Sequence, residues 1–186
     1  MNQKFGLAIH GGAGTILRSS MTAEKEKLYS NALQTALHLG YAVLEKNGSA
    51  LDAVETAIKS LEDCPLFNAG KGAVFNNNGG HEMDASIMSG KDLSAGAVSL
   101  IKNVKNPIAL SRAVMEKSEH VFLCGDGAEE FAKKMGLEFA ADEYFYDEFR
   151  YQQWLKAKET DSVNLDHSVG NSKFQIPNSV LLAQWL

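Results

Sequence analysis

Leu61-Glu62-Asp63-Cys64-Pro65-Leu66-Phe67-Asn68-Ala69-Gly70-Lys71-Gly72-Ala73-Val74-Phe75 is the stretch that decides the fold of this chain. Its first residues close an apolar stripe at helical spacing, Cys64-Pro65 turns the chain, and Ala73-Val74-Phe75 reads as the start of a strand. The bare amide of Asn68 stands between Phe67 and Ala69-Gly70, where main chain lacking a Cβ can approach a ligand closely. The stretch therefore predicts one wall of an active site, placed where a helical layer hands over to a sheet.

Working outward toward the N-terminus, Ser49 and Asp52 have the spacing of a capping box, and Ala53, Val54, Ala57, Ile58 and Leu61 form the stripe of the helix they open. A longer helix precedes it from Thr22 as N-cap to Lys46, with Leu28, Ala32, Leu33, Ala36, Leu39, Ala42 and Val43 at three- and four-residue steps, and Asn47-Gly48 ends it. His38 within it has no second ligand one turn away and reads as a surface or packing residue. Earlier still, Phe5 to His10 is a short apolar run that predicts a buried strand, broken by the loop Gly11-Gly12-Ala13-Gly14. A phosphate cradle needs GxGxxG opening a helix, and Thr15-Ile16-Leu17-Arg18 offers no such start.

Toward the C-terminus the period changes from helical to strand-like. Ala73 to Phe75, the turn Asn76 to Gly80 and a run from His81 to Met88 form a hairpin signature, followed by a strand from Ala95 to Ile101. Glu82 and Asp84, two apart, are expected to be hydrogen bonded on one face and not to work as acid and base. Three strands close together argue for an antiparallel sheet. Pro107 marks the first turn of another helix, His120 to Cys124 is a short strand, and Gly125-Asp126-Gly127 leads into a further helix, so that helices are expected on both sides of the sheet. Asp142 to Lys158, rich in rings at Tyr144, Phe145, Phe149, Tyr151 and Trp154, reads as a peripheral helix, and Glu159 to Asn171 as a polar linker.

Composition bounds the rest. The 186 residues, 45% hydrophobic and 22% charged, suit one domain with a sizeable core. A net charge of −5 with interspersed signs gives no polybasic patch for nucleic acid or anionic lipid, so a small molecule or peptide is the expected partner. Cys64 and Cys124 are far apart and lack metal-ligand or disulfide-framework spacing. Cys64 reads equally as a small buried hydrophobe or as a chemical group. No secretory segment or bilayer-length apolar run is seen, and a reducing cytoplasm is expected.

Four strings then come together. Ala8-Ile9-His10-Gly11-Gly12-Ala13-Gly14, Cys64 to Phe75, His81-Glu82-Met83-Asp84-Ala85 and Ala95-Gly96-Ala97-Val98 are spaced as in the plant-type asparaginases, or isoaspartyl peptidases, which are N-terminal-nucleophile hydrolases. The resemblance runs from about Lys4 to Lys173 and implies an α/β (α+β) fold, the αββα sandwich, of which residues 1–158 would be the α-subunit half. It implies a precursor that cuts itself before a threonine, a β chain that starts at that nucleophile, and an (αβ)2 assembly. The implied reaction is hydrolysis of L-asparagine or isoaspartyl dipeptides with release of L-aspartate. Asn68 would lie beside the nucleophile, and the main chain of His10, Gly11 and Gly12 would lie near the same cleft. The main-chain carbonyls of Leu61, Glu62, Cys64, Phe67, Ala69 and Lys71 would surround a structural sodium ion, as oxygen donors suit a hard cation.

The end of the chain departs from the family. Residues 159–174 match the linker before self-cleavage, but residues 175–186 stand where Gly-Thr-Val-Gly-Ala-Val-Ala-Leu is expected. With codons chosen to fit, AAATTCGGTACTGTTGGCGCAGTGGCTC encodes Lys-Phe-Gly-Thr-Val-Gly-Ala-Val-Ala, and one base later it encodes Asn178 to Leu186 residue for residue. The tail is therefore expected to be a frameshifted copy of the nucleophile segment. A nucleotide sequence with no Gly-Thr-Val-Gly in the neighbouring frame would contradict this. Two classes of function follow: an enzyme whose nucleophile lies outside this chain, or a non-catalytic remnant or binding partner.

Overall fold

The computed structural model describes residues 5–11 and 21–160. In chain order these form α1 (Ala23–Glu45), α2 (Ala50–Glu62), a 3-10 turn (Gly70–Gly72), β1 (Met83–Met88), β2 (Ala95–Ile101), α3 (Pro107–Lys117), β3 (Phe122–Cys124), α4 (Gly125–Lys134), α5 (Asp142–Phe145) and α6 (Glu148–Thr160). Among the described residues the chain is a mixed α/β protein with a small sheet of three strands in the order β1-β2-β3.

The helices start where their caps place them. The Thr22 side chain accepts from the Lys25 main-chain N–H, and Ser49 and Asp52 form both bonds of the capping box. Pro107 occupies the first turn of α3, where its missing N–H costs nothing. The buried positions of α1 are Tyr29, Ala36 and Gly40, whereas Leu28 and Leu39 are exposed. The contact face is thus turned from the expected stripe. Small residues decide this: a Cβ on Gly40 would lie 2.7 Å from Leu7 Cδ2 and 2.8 Å from the Ala53 carbonyl oxygen, so α1 and α2 approach main chain to main chain.

The sheet corrects the antiparallel expectation. β1 and β2 pair antiparallel, but β2 and β3 pair parallel, with α3 as the crossover that parallel neighbours require. Helices α3 and α4 pack on β2, and Gly96 lets α3 approach, because a Cβ there would collide with the Ser111 carbonyl oxygen. This core contains Met83, Val98, Ile101, Leu110, Val114 and Phe145. Helices do not cover both faces as expected. Met88, Leu100 and Phe122 are 58%, 53% and 51% exposed, so among the described residues the second face stays open. Leu100 reaches that face through a bulge opposite Asp84, which accepts from both Ser99 Oγ at 2.6 Å and the Leu100 N–H at 3.0 Å.

Two expected strands are not strands. Phe5 to His10 carries no assigned secondary structure and lies against α1 and α2, with Ile9 packed on a second core of Tyr29, Ala36, Leu61 and Phe67. Ala73 to Phe75 makes no ladder because side chains take the hydrogen bonds of its central residue. The Val74 N–H donates to Asn68 Oδ1 at 2.9 Å, and its carbonyl accepts from His81 Nδ1 at 3.3 Å. The aromatic segment forms α5 and α6 in place of one helix, broken at Tyr146-Asp147, where Asp147 Oδ1 accepts from the Arg150 N–H. Glu159 and Thr160, read as the start of the linker, belong to α6. The remainder of the linker and the tail lie outside the described residues.

Candidate active site

The central stretch begins inside α2 and is pinned at its first bend. Asp63 Oδ1 accepts from Asn106 Nδ2 at 3.1 Å and from the Tyr144 hydroxyl at 3.0 Å, tying the loop to the start of α3 and to α5. Burial, reinforced by that bond to Asp63, pushes the Tyr144 phenol well above its usual range. After Pro65 the chain drops Phe67 into the second core, edge-on to Tyr29 at 5.7 Å. Gly11 abuts the same ring: a Cβ there would lie 3.1 Å from Phe67 Cε1. The structure therefore brings Gly11 to the loop that carries Asn68. His10 beside it is exposed, and Gly12 lies outside the described residues.

Asn68 is partly buried and oriented by one bond, in which its Oδ1 accepts the Val74 N–H. A main-chain N–H can only donate, so this bond identifies the oxygen, and among the described residues it leaves both Nδ2 protons available. The predicted amide is thus in place as a two-proton donor next to a glycine-rich turn.

The loop from Leu61 to Lys71 closes on itself. A Cβ on Gly70 would collide with the Glu62 carbonyl oxygen, and one on Gly72 would collide with the Phe67 carbonyl oxygen and lie 2.6 Å from that of Pro65. The Leu61 and Ala69 carbonyls accept the N–H groups of Cys64 and Gly72, both at 3.1 Å. Carbonyls of Glu62 and Phe67 thus crowd a loop that only glycines can complete. Among the described residues no group of three or more His, Cys, Asp or Glu could hold a metal ion. Cys64 is partly buried and packs on the second core, as the small-hydrophobe reading expects.

Sequence reasoning valued Glu62 only for its carbonyl. Its side chain is 3% exposed, and its Oε1 accepts the Ile108 N–H at 2.9 Å, capping α3, whose own Asn106 makes no side-chain cap. Oε2 has no partner among the described residues. Burial pushes the carboxyl up to about 8, against the hydrogen bond from Ile108. An acid in the last turn of a helix, followed later by Asn-Pro, is the faint signal that could have pointed to it. Glu82 and Asp84 are not bonded to each other. Glu82 precedes β1 and pairs with Lys102 at 3.4 Å, and Asp84 holds the bulge.

A cavity of about 680 Å³ is lined not by Asn68 but by Phe75, His81, Phe145, Tyr146 and Tyr151, with Glu82 and Lys102 also in its wall. Phe75 and His81, which flank and bond the segment that holds Asn68, belong to its wall. No helix among the described residues is long and apolar enough to cross a membrane.

Residues 3–179 match the family model described as asparaginase. The chain belongs to the asparaginase family. It is 46% identical over 162 residues to the isoaspartyl peptidase of Escherichia coli, covering 87% of this chain and 50% of that protein. It is 52% identical over 132 residues to the human isoaspartyl peptidase/L-asparaginase, covering 70% of this chain and 41% of the relative. It is 49% identical over 154 residues to the plant-type L-asparaginase of Pyrococcus horikoshii, covering 82% and 48%. The chain spans about half the length of these curated relatives. The Asn68 loop and the glycine turn of this asparaginase-family chain fall inside the matched segment.

Proposed function

We propose that this chain is the α part of an enzyme that hydrolyses L-asparagine and β-aspartyl dipeptides, releasing L-aspartate. The observation that carries the reading is Asn68, whose oxygen is committed to Val74 and whose two amide protons remain available. Such a donor can stabilise charge developing on a carbonyl oxygen or orient the attacking water.

The nucleophile in this reading is an N-terminal threonine of a β part. Its hydroxyl attacks the side-chain carbonyl of the substrate, and its own α-amine, with an ordinary pKa of about 7.7–8.0, takes the proton. Ammonia leaves from asparagine, or the second amino acid leaves from a dipeptide, and water then cleaves the β-aspartyl ester to aspartate. His10, Gly11 and Gly12 lend main chain to the cleft, and Leu61, Glu62, Cys64, Phe67, Ala69 and Lys71 offer carbonyls to a sodium ion that braces the loop. The crowding of Gly70 and Gly72 against carbonyl oxygens supports that loop role. The open face bearing Met88, Leu100 and Phe122, with the half-length match to relatives, supports a β part that completes an αββα sandwich and an (αβ)2 assembly. Two free cysteines accord with a cytoplasmic setting.

The second reading, a catalytically silent remnant or binding partner, rests on the same half-length match. The test is to produce the chain alone and together with the part of the E. coli relative that it does not cover, and to measure ammonia release from L-asparagine. Activity only in the mixture, lost in N68A, is expected. Activity from the single chain would overturn the placement of the nucleophile.

A further inference from the structure

Asn68 has one orienting bond among the described residues, so its direction is only as fixed as the Val74 N–H that holds it. Val74 is exposed and lies in neither helix nor strand, so no ladder fixes its main chain. What fixes it is His81. A carbonyl can only accept, so the 3.3 Å contact between Val74 O and His81 Nδ1 requires the proton on Nδ1. The ring is itself held, tilted against Phe75 at 4.2 Å and lying 6.1 Å from the buried ring of Phe145. Phe75 in turn meets Tyr146 at 6.1 Å, Tyr151 at 5.7 Å and Trp154 at 5.9 Å, the aromatic wall of α6 and the turn before it.

We propose that His81 is a positioning residue for Asn68, acting through the main chain of Val74. The inference rests on the proposed role of Asn68. One hydrogen bond holds the carbonyl side of Val74, the other takes its N–H, and the aromatic wall keeps His81 from turning away. Burial holds the imidazole below its usual range, against the carbonyls of Val74 and Ala73, and so favours the neutral ring with one N–H to place. The bland alternative is that His81 merely closes the turn Asn76 to Gly80. That turn already has its own bonds, Asn76 N–H to the Gly80 carbonyl at 2.7 Å and Gly79 N–H to the Asn76 carbonyl at 3.0 Å.

The test compares His81→Phe, which keeps the ring and loses the donor, with His81→Asn, which can place an amide N–H near the Nδ1 position. In the active mixture described above, H81F is expected to lower kcat ~10-fold or more with KM changed less than ~2-fold, since small misplacements of a reacting group cost rate and not binding. H81N should recover most of the loss. In the full chain alone, hydrogen exchange of the Val74 amide should speed up ~10-fold in H81F and return toward wild type in H81N. If H81F does not fold, His81→Gln, with its nitrogen one bond further out, takes its place with the same expected losses. A normal kcat in H81F while N68A is impaired would overturn this inference and leave the function standing. A normal kcat in N68A would overturn the role of Asn68, and this inference with it. Unchanged Val74 exchange in H81F would overturn the proposed coupling whatever the activity.

Discussion

Gly70 and Gly125 share a φ of +53° but not their surroundings, and the pair isolates how tightly the central loop is closed. A Cβ on Gly125 would meet nothing within 4 Å, whereas one on Gly70 would collide with the Glu62 carbonyl oxygen and lie 2.8 Å from the Glu62 carbonyl carbon. Left-handed backbone costs an L-residue ~1–2 kcal/mol. Alanine also reduces the freedom of the unfolded chain, returning ~0.4–1 kcal/mol at either site, so Gly125→Ala should lose a net ~0.5–1 kcal/mol. Gly70→Ala carries the same pair of terms plus a collision with main chain that cannot swing aside, an overpacking cost of ~1–3 kcal/mol. Gly72→Ala meets the Phe67 and Pro65 carbonyl oxygens without a left-handed φ and should fall between them. Urea unfolding of the full chain reads the order. With a slope of ~2 kcal/mol/M, Gly70→Ala should lose ~0.5–1.5 M more in midpoint than Gly125→Ala, with the slope unchanged. Equal midpoints for the two variants would mean that the loop does not close on Glu62, and the case for a ring of carbonyl donors would fall with it.

Three further outcomes can be checked on the same chain. The hydroxyl of Ser49, with Arg112 opposite, holds the Asp52 carboxyl below its ordinary value. A depressed carboxyl contributes stability above its unfolded pKa and loses it as pH falls through the folded one, so stability should drop below about pH 4, and Asp52→Asn should flatten that part of the midpoint-against-pH curve. Leu110 is fully buried and Leu100 is 53% exposed, so Leu110→Ala should cost ~2–5 kcal/mol. Leu100→Ala should change the stability of the chain alone by no more than ~0.5 kcal/mol, and a larger loss would mean that the open face is covered. Glu62→Gln keeps an oxygen for the Ile108 N–H, whereas Glu62→Ala strands that donor; thermal unfolding should find the alanine variant less stable by ~1–3 kcal/mol, and equal stabilities would deny the cap across elements.

Local chemistry was legible in the sequence, and long-range chemistry was not. The caps at Thr22 and Ser49, the proline at the start of α3 and the Asn76 to Gly80 turn all rest on local chemistry between near neighbours, and they stand where the residues put them. The misreadings share one cause. Ala73 to Phe75 has strand composition, but the Asn68 amide and the His81 ring take the hydrogen bonds of Val74, and neither pairing is visible in a two-residue period. β3 joins β2 parallel because α3 carries the chain across, a choice that no short window records. The stripe on α1 was rotated by Gly40, whose missing side chain matters only once α2 lies against it. In the same way Asn68 could be singled out as an unusual amide, while Glu62 needed α3, and His81 needed Val74, before either could be recognised.

The central stretch divides its residues between tasks that tolerate exchange and tasks that do not. The oxygens that crowd it are main-chain atoms, so the side chains at Leu66, Ala69 and Lys71 are free of that duty, and Lys71 rests its ammonium over the Tyr144 ring at 5.4 Å. Phe67 is a packing anchor, Gly70 and Gly72 are absences that let carbonyls approach, and Glu62 joins the loop to α3. Asn68 differs from these in that its amide oxygen is held by the Val74 N–H of the segment that leaves the loop. The proposed role of Asn68 rests on that division: a stretch otherwise given to packing and loop closure holds one amide by its oxygen.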